Sequence, residues 1–264
     1  MGEDNLKKSH IIAVLNQKGG VGKTTTAINL ASYLAKAGQT VLLVDLDPQG
    51  NATSGLGLSH AAQSGGTYEV LINGIDITDN LQTTEVEGFH LLPTNAQLAA
   101  AEIELVGQKE REFALKKALV GVDHDFIIID CPPALSLLTI NALTAADSLI
   151  IPVQAEYYAL EGLGQLLSVV QQVRAGLNTK LELLGVLMTM YDSRTTLSEQ
   201  VKREVEQHFG DKVFDVVVPR NIRLAEAPSH GKPISHYDKW SKGARAYKQL
   251  AHEVRQRTGI PKKK

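Results

Sequence analysis

Short apolar runs alternate along the chain with longer stretches in which apolar residues recur every third or fourth position. Ile11, Ile12, Val14 and Leu15 form the first run; Ala27, Ile28, Leu30, Ala31 and Leu34 then predict a helix that Gly38 closes. Further strands are expected over residues 40–46, 89–92, 126–129, 148–153, 181–190 and 213–218. Helical spacing covers residues 67–72, 96–120 with a break near Gly107, 137–145, about 160–175, 197–209 and 242–257. Thr196 and Glu199 fit a capping box for the helix over 197–209. Residues 50–66, rich in Gly, Ser, Ala and Asn, read as a mobile surface loop, and residues 226–237, with two prolines and a glycine, as an ordered one. This alternation predicts an α/β fold: a doubly wound, mainly parallel sheet with right-handed crossovers and helices on both faces. No linker interrupts the pattern, so a single domain over residues 1–264 is expected, with a flexible start at 1–9 and a frayed basic tail at 259–264.

Composition narrows the class. With 264 residues and 43% hydrophobic content, the chain can bury a substantial core. No run approaches the roughly 18 apolar residues of a membrane span, and the charged first ten residues lack the apolar core of a signal peptide. A soluble, cytoplasmic protein is expected. The single cysteine, Cys131, excludes an internal disulfide and cannot by itself form an iron–sulfur or structural zinc site. It reads as a small packing side chain beside a functional loop. The formal charge of −2 hides an asymmetry: residues 1–189 carry a net −9 and residues 190–264 a net +7. The C-terminal quarter has the sign of a surface that meets a polyanion, nucleic acid or anionic lipid.

The chemistry concentrates at the C-terminal ends of the expected strands, where ligands bind in doubly wound sheets. Residues 16–25, Asn-Gln-Lys-Gly-Gly-Val-Gly-Lys-Thr-Thr, join the first strand to the first helix through a glycine-rich loop. Such a loop converges backbone N–H groups on an anion, and the helix N-terminus adds partial positive charge. Lys23 is placed to reach the outer phosphates of a nucleotide and Thr24 to hold Mg²⁺. The usual P-loop pattern has a glycine five residues before Gly22, where Gln17 stands; Lys18 sits at the loop's entrance instead. Asp130, ending the apolar run 126–129, suits binding the metal through water. Asp47, leaving the second strand, is the candidate for orienting a nucleophilic water and a further candidate at the metal, while Asp45 reads as structural.

Lys18 to Thr25, the run Val44-Asp45-Leu46-Asp47-Pro48-Gln49-Gly50-Asn51, Asp130-Cys131-Pro132-Pro133 and residues 219–230 together resemble the deviant Walker A ATPases, and within them the ParA chromosome-partitioning ATPases of the short Soj-like type. The resemblance implies an ATP hydrolase that uses ATP/ADP and Mg²⁺. It assigns nucleotide contact to Lys18, Gly19, Gly20, Val21, Gly22, Lys23, Thr24 and Thr25, with Pro219 and Asn221 near the adenine. It implies an ATP-dependent homodimer in which Lys18 crosses to the partner's phosphates, Gly19 and Gly20 permit that approach, and Asp47 supports hydrolysis. It also implies non-specific double-stranded DNA binding through Arg194 and Arg223, association with the nucleoid, and a ParB-like centromere-binding protein that stimulates hydrolysis. Lys202, Arg203, Lys232, Lys239, Lys242 and Lys248 are weaker DNA candidates. Longer plasmid members begin with a helix-turn-helix domain; about nine residues precede the first strand here, so operator-specific autoregulation is not expected.

Rival readings are weighed on particular residues. A MinD-like membrane-associated regulator needs a terminal amphipathic helix, whereas Ala246, Tyr247, Leu250, Ala251 and Val254 read as a core stripe followed by a purely basic tail. Membrane attachment is therefore not expected. Nitrogenase-type reductases and iron–sulfur carriers need cysteine ligands that one Cys cannot supply, and an ATP-dependent ligase needs a carbon-substrate site that no motif provides. A ParA-like positioner of another cargo would carry the same ATPase residues.

Overall fold

The computed structural model describes residues 9–58, 65–156 and 162–263. Seven strands, β1 (His10–Val14), β2 (Val41–Asp45), β3 (Gln82–Thr83), β4 (Phe89–Leu92), β5 (Phe126–Asp130), β6 (Ser148–Gln154) and β7 (Glu182–Thr189), form one sheet in the order β3-β4-β2-β5-β1-β6-β7. β3 runs antiparallel to β4, and every other pairing is parallel. The longer helices are α1 (Lys23–Lys36), α2 (Asn51–Gly55), α3 (Thr67–Ile72), α4 (Leu98–Glu104), α5 (Ala114–Ala118), α6 (Leu137–Ala145), α7 (Leu163–Gly176), α8 (Thr196–Phe209), α9 (Ile222–Glu226), α10 (Ile234–Tyr237) and α11 (Lys242–Thr258).

Side-chain alternation divides the core between the two sheet faces. Ala13, Leu42, Val44, Ile127, Ile129, Leu149 and Ile151 pack with Leu138 and Leu143 of α6, Leu166 and Val170 of α7, and Val201 and Val205 of α8. Their neighbours Ile12, Val14, Val41, Leu43, Ile128 and Ile150 pack with Leu30 and Leu34 of α1 and with Tyr247, Leu250 and Val254 of α11. Helices therefore cover both faces, as the continuous apolar runs require. From β1 the chain passes over β5 to β2, and later returns to β6 on β1's other side. That reversal opens a crevice at the C-terminal end of β1, beside the ends of β5 and β2.

The expected elements shift in several places. Residues 50–66 are not simply a loop: Asn51–Gly55 is a short helix, and 59–64 lie outside the described residues. The helix expected from about 160 starts at Leu163, with 157–161 also outside them. Gln82–Thr83, too short to show a pattern, forms the edge strand β3. The cap of α8 is Thr195, whose side chain accepts the Ser198 N–H, while Glu199 instead receives the Tyr191 hydroxyl. Residues 226–237 hold a 3₁₀ turn (Ala227–His230) and α10 rather than a loop.

Residues 213–218 do not form a regular strand, because their register slips against β7: the Phe214 and Val218 N–H groups, four residues apart, reach the Val186 and Met188 carbonyls, two residues apart (3.0 and 2.8 Å), while side chains of α11 bind other backbone groups of the segment. Glu253 accepts from the Asp215 and Val216 N–H groups (3.0 and 3.4 Å), and Arg257 donates to the Val213 carbonyl (2.7 Å). Only isolated bridges to β7 and its end remain, Val186 with Val213 and Tyr191 with Pro219. Nor is the C-terminal tail frayed over its described length. Gly259 closes α11 at φ +71°, Ile260 packs on the core, the Gln39 amide donates to the Pro261 carbonyl (2.8 Å), and Lys263 reaches the Asp125 carboxylate (2.5 Å).

At the opposite edge from the crevice, His90 of β4 and buried His124 share a hydrogen bond of 3.0 Å between Nδ1 and Nε2. Burial, aided by the charge of His90, pushes His124 down from 6.5 to about 4, with Asp123 opposing. Between those values the unfolded chain binds a proton that the folded chain does not, so this histidine's contribution to stability is complete above pH 6.5 and is lost as pH falls toward 4. The unfolding free energy from urea titrations should drop from pH 7 to pH 5, by at most about 1.4 kcal/mol per pH unit for one proton and less after solvent screening. His124→Gln should flatten that dependence; an unchanged slope would show that His124 titrates freely.

Candidate active site

β1 passes through residues 15–22 into α1, and three side-chain contacts fix this loop from behind. Asn16 donates through Nδ2 to the Pro152 carbonyl of β6 (2.7 Å), and its Oδ1 accepts the Lys18 N–H (3.0 Å). Thr189 Oγ1, at the end of β7, donates to the Val21 carbonyl (2.8 Å). Gly20 and Gly22 hold φ of +76° and +89°, a region that side chains disfavour. A Cβ at Gly19 or Gly20 would meet nothing within 4 Å, so the outer side of the loop is open. α1 starts at Lys23 with no side-chain cap, leaving its first N–H groups available to an anion.

Three carboxylates stand beside the loop in different environments. Asp45 is fully buried; it accepts from the Thr53 N–H and hydroxyl (2.8 and 2.6 Å) and from the Asp47 N–H (3.3 Å). Burial pushes its pKa up to about 6 against the pull of those bonds. Its role is to tie β2 to α2, in keeping with the structural reading. Asp130 lies opposite it in register, also fully buried, and neither of its oxygens makes a well-aligned hydrogen bond among the described residues. Burial and then the Asp45 charge raise its pKa, opposed by the Thr24 hydroxyl and, more weakly, the Lys23 ammonium. Asp47 is 6% exposed and holds the Gln49 N–H (3.0 Å).

Lys23 is buried, and its ammonium donates to the Lys18 carbonyl (3.2 Å). Burial pulls its pKa below that of ordinary lysine, with Asp130 and Asp47 acting the other way. Lys18 lies elsewhere: its ammonium pairs with Glu156 just past β6 (2.8 Å), both side chains about two-fifths exposed. The unsatisfied hard oxygens of Asp130, near a threonine hydroxyl, form a donor set that fits Mg²⁺. Among the described residues no group of three or more His, Cys, Asp or Glu could hold a metal alone, so Mg²⁺ here would take its other ligands from phosphate and water.

Two adjoining cavities open at the loop. One, of about 490 Å³, is lined by Gly19, Gly20, Lys23, Thr24 and Asp47, with Asp130 buried behind it. The other, of about 380 Å³ and mostly apolar, is lined by Val218, Pro219, Asn221, Leu224 and Tyr247. Gly22, Thr25 and Met190 line both. A chamber bearing Lys23, Thr24 and Asp47, continued by an apolar one, is the shape of a site for a phosphorylated aromatic ligand. Met190 has φ +50°, a conformation that costs a non-glycine residue on the order of 1–3 kcal/mol and that clusters at ligand sites. Asn16, Thr189 and Met190 escape a reading of the sequence: two act by long-range hydrogen bonds, and methionine carries no mark of a left-handed backbone.

The basic candidates fall into separate groups. Arg194, exposed at the end of β7, pairs with Asp192 (2.7 Å). Arg223 in α9 pairs with Glu226 (2.9 Å) and reaches Asp238 (3.6 Å). Lys202 pairs with Glu206 on α8 (3.6 Å), while Arg203, Lys239, Lys242 and Lys248 are exposed. Lys232, its side chain about two-fifths exposed, also lines the phosphate-side cavity and pairs with Glu85 (3.3 Å).

Residues 9–183 match the family model described as an AAA domain. The chain is 58% identical over 246 residues to the sporulation initiation inhibitor protein Soj of Bacillus subtilis, covering 92% of this chain and 97% of that protein. It is 53% identical over 249 residues to the chromosome partitioning protein ParA of Myxococcus xanthus, covering 94% and 88%. The chain belongs to the Soj/ParA family of chromosome-partitioning ATPases. Among solved structures, a Mycobacterium smegmatis protein described as cobyrinic acid a,c-diamide synthase, with bound ADP and magnesium, superposes with a TM-score of 0.84 at 40% identity, covering 97% of this chain and 98% of that one. For this Soj/ParA ATPase, the described residues include no helix long and apolar enough to cross a membrane, and the apolar residues of α11 are spent on the core.

Proposed function

We propose that this partition ATPase is a nucleotide switch: ATP binding closes two copies face to face, the closed dimer binds duplex DNA without sequence preference, and a ParB-like partner triggers hydrolysis and release. The observation that carries the reading is the pair of cavities sharing Gly22 and Thr25, one polar and bearing Lys23, Thr24 and Asp47, the other apolar and bearing Pro219 and Asn221. They divide one nucleotide into triphosphate and base. Thr24, and Asp130 through water, would hold Mg²⁺, which would supply positive charge to neutralise the phosphates. The loop amides and Lys23 stabilise charge on the transferred phosphoryl group, and Asp47 orients the attacking water.

DNA binding by phosphate neutralisation draws on Arg194, Arg223 and the exposed lysines of the basic C-terminal quarter, and should weaken steeply with salt. Arg223→Glu should lower retention on random-sequence duplex in the ATP state by at least about tenfold, since each copy of the dimer exchanges a phosphate contact for a repulsion. Filter binding at several salt concentrations, with dimer mass checked in parallel, tests this. Unchanged retention at moderate salt would place the DNA surface elsewhere; the same loss together with loss of the dimer would make Arg223 an interface residue instead.

A further inference from the structure

Trp240, the chain's one tryptophan, is 76% exposed in the turn between α10 and α11. The backbone of that turn is fixed on both sides. Asp238 accepts the Trp240 N–H (3.1 Å), and the Arg245 guanidinium donates to the Trp240 carbonyl (3.1 and 3.4 Å). Ser241 donates to the Asp238 carbonyl (2.9 Å) and caps α11 by accepting the Ala244 N–H (3.1 Å). Asp238 also reaches Arg223 (3.6 Å), so the same carboxylate anchors the turn to α9. The ammonium of Lys239 sits 5.2 Å from the indole centroid, and Lys242 is exposed in the first turn of α11. The turn thus presents an exposed indole with the Lys239 ammonium over the ring, Arg245 on its backbone carbonyl, Lys242 two residues on, and Arg223 tied to the turn through Asp238. The carboxylates there, Asp238 and Glu226, are engaged by Arg223 and by the turn itself.

An indole among cations suits a partner that is anionic and offers flat apolar edges between its charges. A lipid surface would call for several apolar neighbours around the ring, but Tyr247, Leu250 and Val254 of α11 are buried, and in residues 213–263 Ile222 is the one other large apolar side chain that is exposed. Duplex DNA supplies both features, phosphates along the strands and sugar and base edges in the groove. We propose that Trp240 is a direct, sequence-independent contact to duplex DNA, its indole packed against groove edges while the surrounding cations take the flanking phosphates. The inference rests on the DNA-binding reading above and deepens it by naming a contact that is not electrostatic.

Because the chain has one tryptophan, its own emission reports on the site. Full-length protein with a non-hydrolysable ATP analogue should show quenched emission on titration with a short random-sequence duplex. Trp240→Ala should weaken retention by about tenfold, the scale of one aromatic–base contact. Trp240→Phe should recover much of that loss, and both variants should melt like the parent. Retention of the parent with unchanged emission and equal binding by Trp240→Ala would overturn the contact and leave the DNA reading intact. Stronger quenching by single-stranded DNA, or a blue shift on anionic vesicles with no response to duplex, would also overturn it. Failure of the parent to bind duplex at any salt would remove the DNA reading itself.

Discussion

Asp47→Ala is expected to cut ATP turnover by about 10² to 10⁴-fold, the range that a positioned proton acceptor contributes, while nucleotide binding and the ATP-bound dimer persist. The case is geometric. Asp47 shares the polar cavity with Lys23 and Thr24, so its carboxylate is placed beside the outer phosphates of a nucleotide seated on the loop. It makes one backbone contact of its own, to the Gln49 N–H, and its removal leaves the scaffold standing. The neighbouring carboxylates behave differently. Asp45 is consumed by three hydrogen bonds, two of which tie β2 to Thr53 of α2, and Asp130 is walled off behind the cavity with oxygens suited to a cation. Phosphate release measured beside the affinity for a fluorescent nucleotide separates chemistry from binding. Undiminished turnover would sink the water-orienting role; loss of nucleotide affinity with turnover would move Asp47 to the metal.

Much of this site was legible before any coordinates, because its chemistry is local. The phosphate loop is one continuous stretch flanked by a strand and a helix, and each carboxylate ends an apolar run whose burial is plain from composition. Once the strands were placed in a parallel sheet, their C-terminal ends had to converge. What escaped was decided across long sequence separations. The 213–218 segment has a strand's composition, but its hydrogen bonds to Val186 and Met188 of β7 are out of step, and Glu253 and Arg257 bind other backbone groups. The tail looks solvated by its lysines, yet Lys263 is drawn to Asp125 and Ile260 to the core. That Lys232 also lines the phosphate chamber could not be read from the sequence, because the fold brings it there from residue 232. The cap of α8 moved by one residue because both threonines are competent and only tertiary contact chooses between them.

Lys18→Ala should abolish the ATP-dependent dimer and leave nucleotide affinity within a few-fold of the parent. The Lys18 backbone is already held at both ends, its N–H by Asn16 and its carbonyl by Lys23, so truncating the side chain does not disturb the cradle. The ammonium is outside its own phosphate chamber, parked on Glu156 in an ion pair that is about two-fifths exposed on each side. A pair of that exposure is worth about 0–1 kcal/mol, little enough for Lys18 to be drawn away by a triphosphate across a closing interface. On the proposed dimer the same ammonium would make a charge-assisted contact worth about 1.5–3 kcal/mol, and a two-fold dimer would make it twice. Losing both copies should weaken association by on the order of 10² to 10⁴-fold. Light scattering with a non-hydrolysable analogue reads the outcome directly: the parent should double from 28.6 kDa and the variant should stay there. A variant that doubles like the parent would return Lys18 to its ion pair with Glu156 as an ordinary surface charge, and the open side of Gly19 and Gly20 would then need a different occupant.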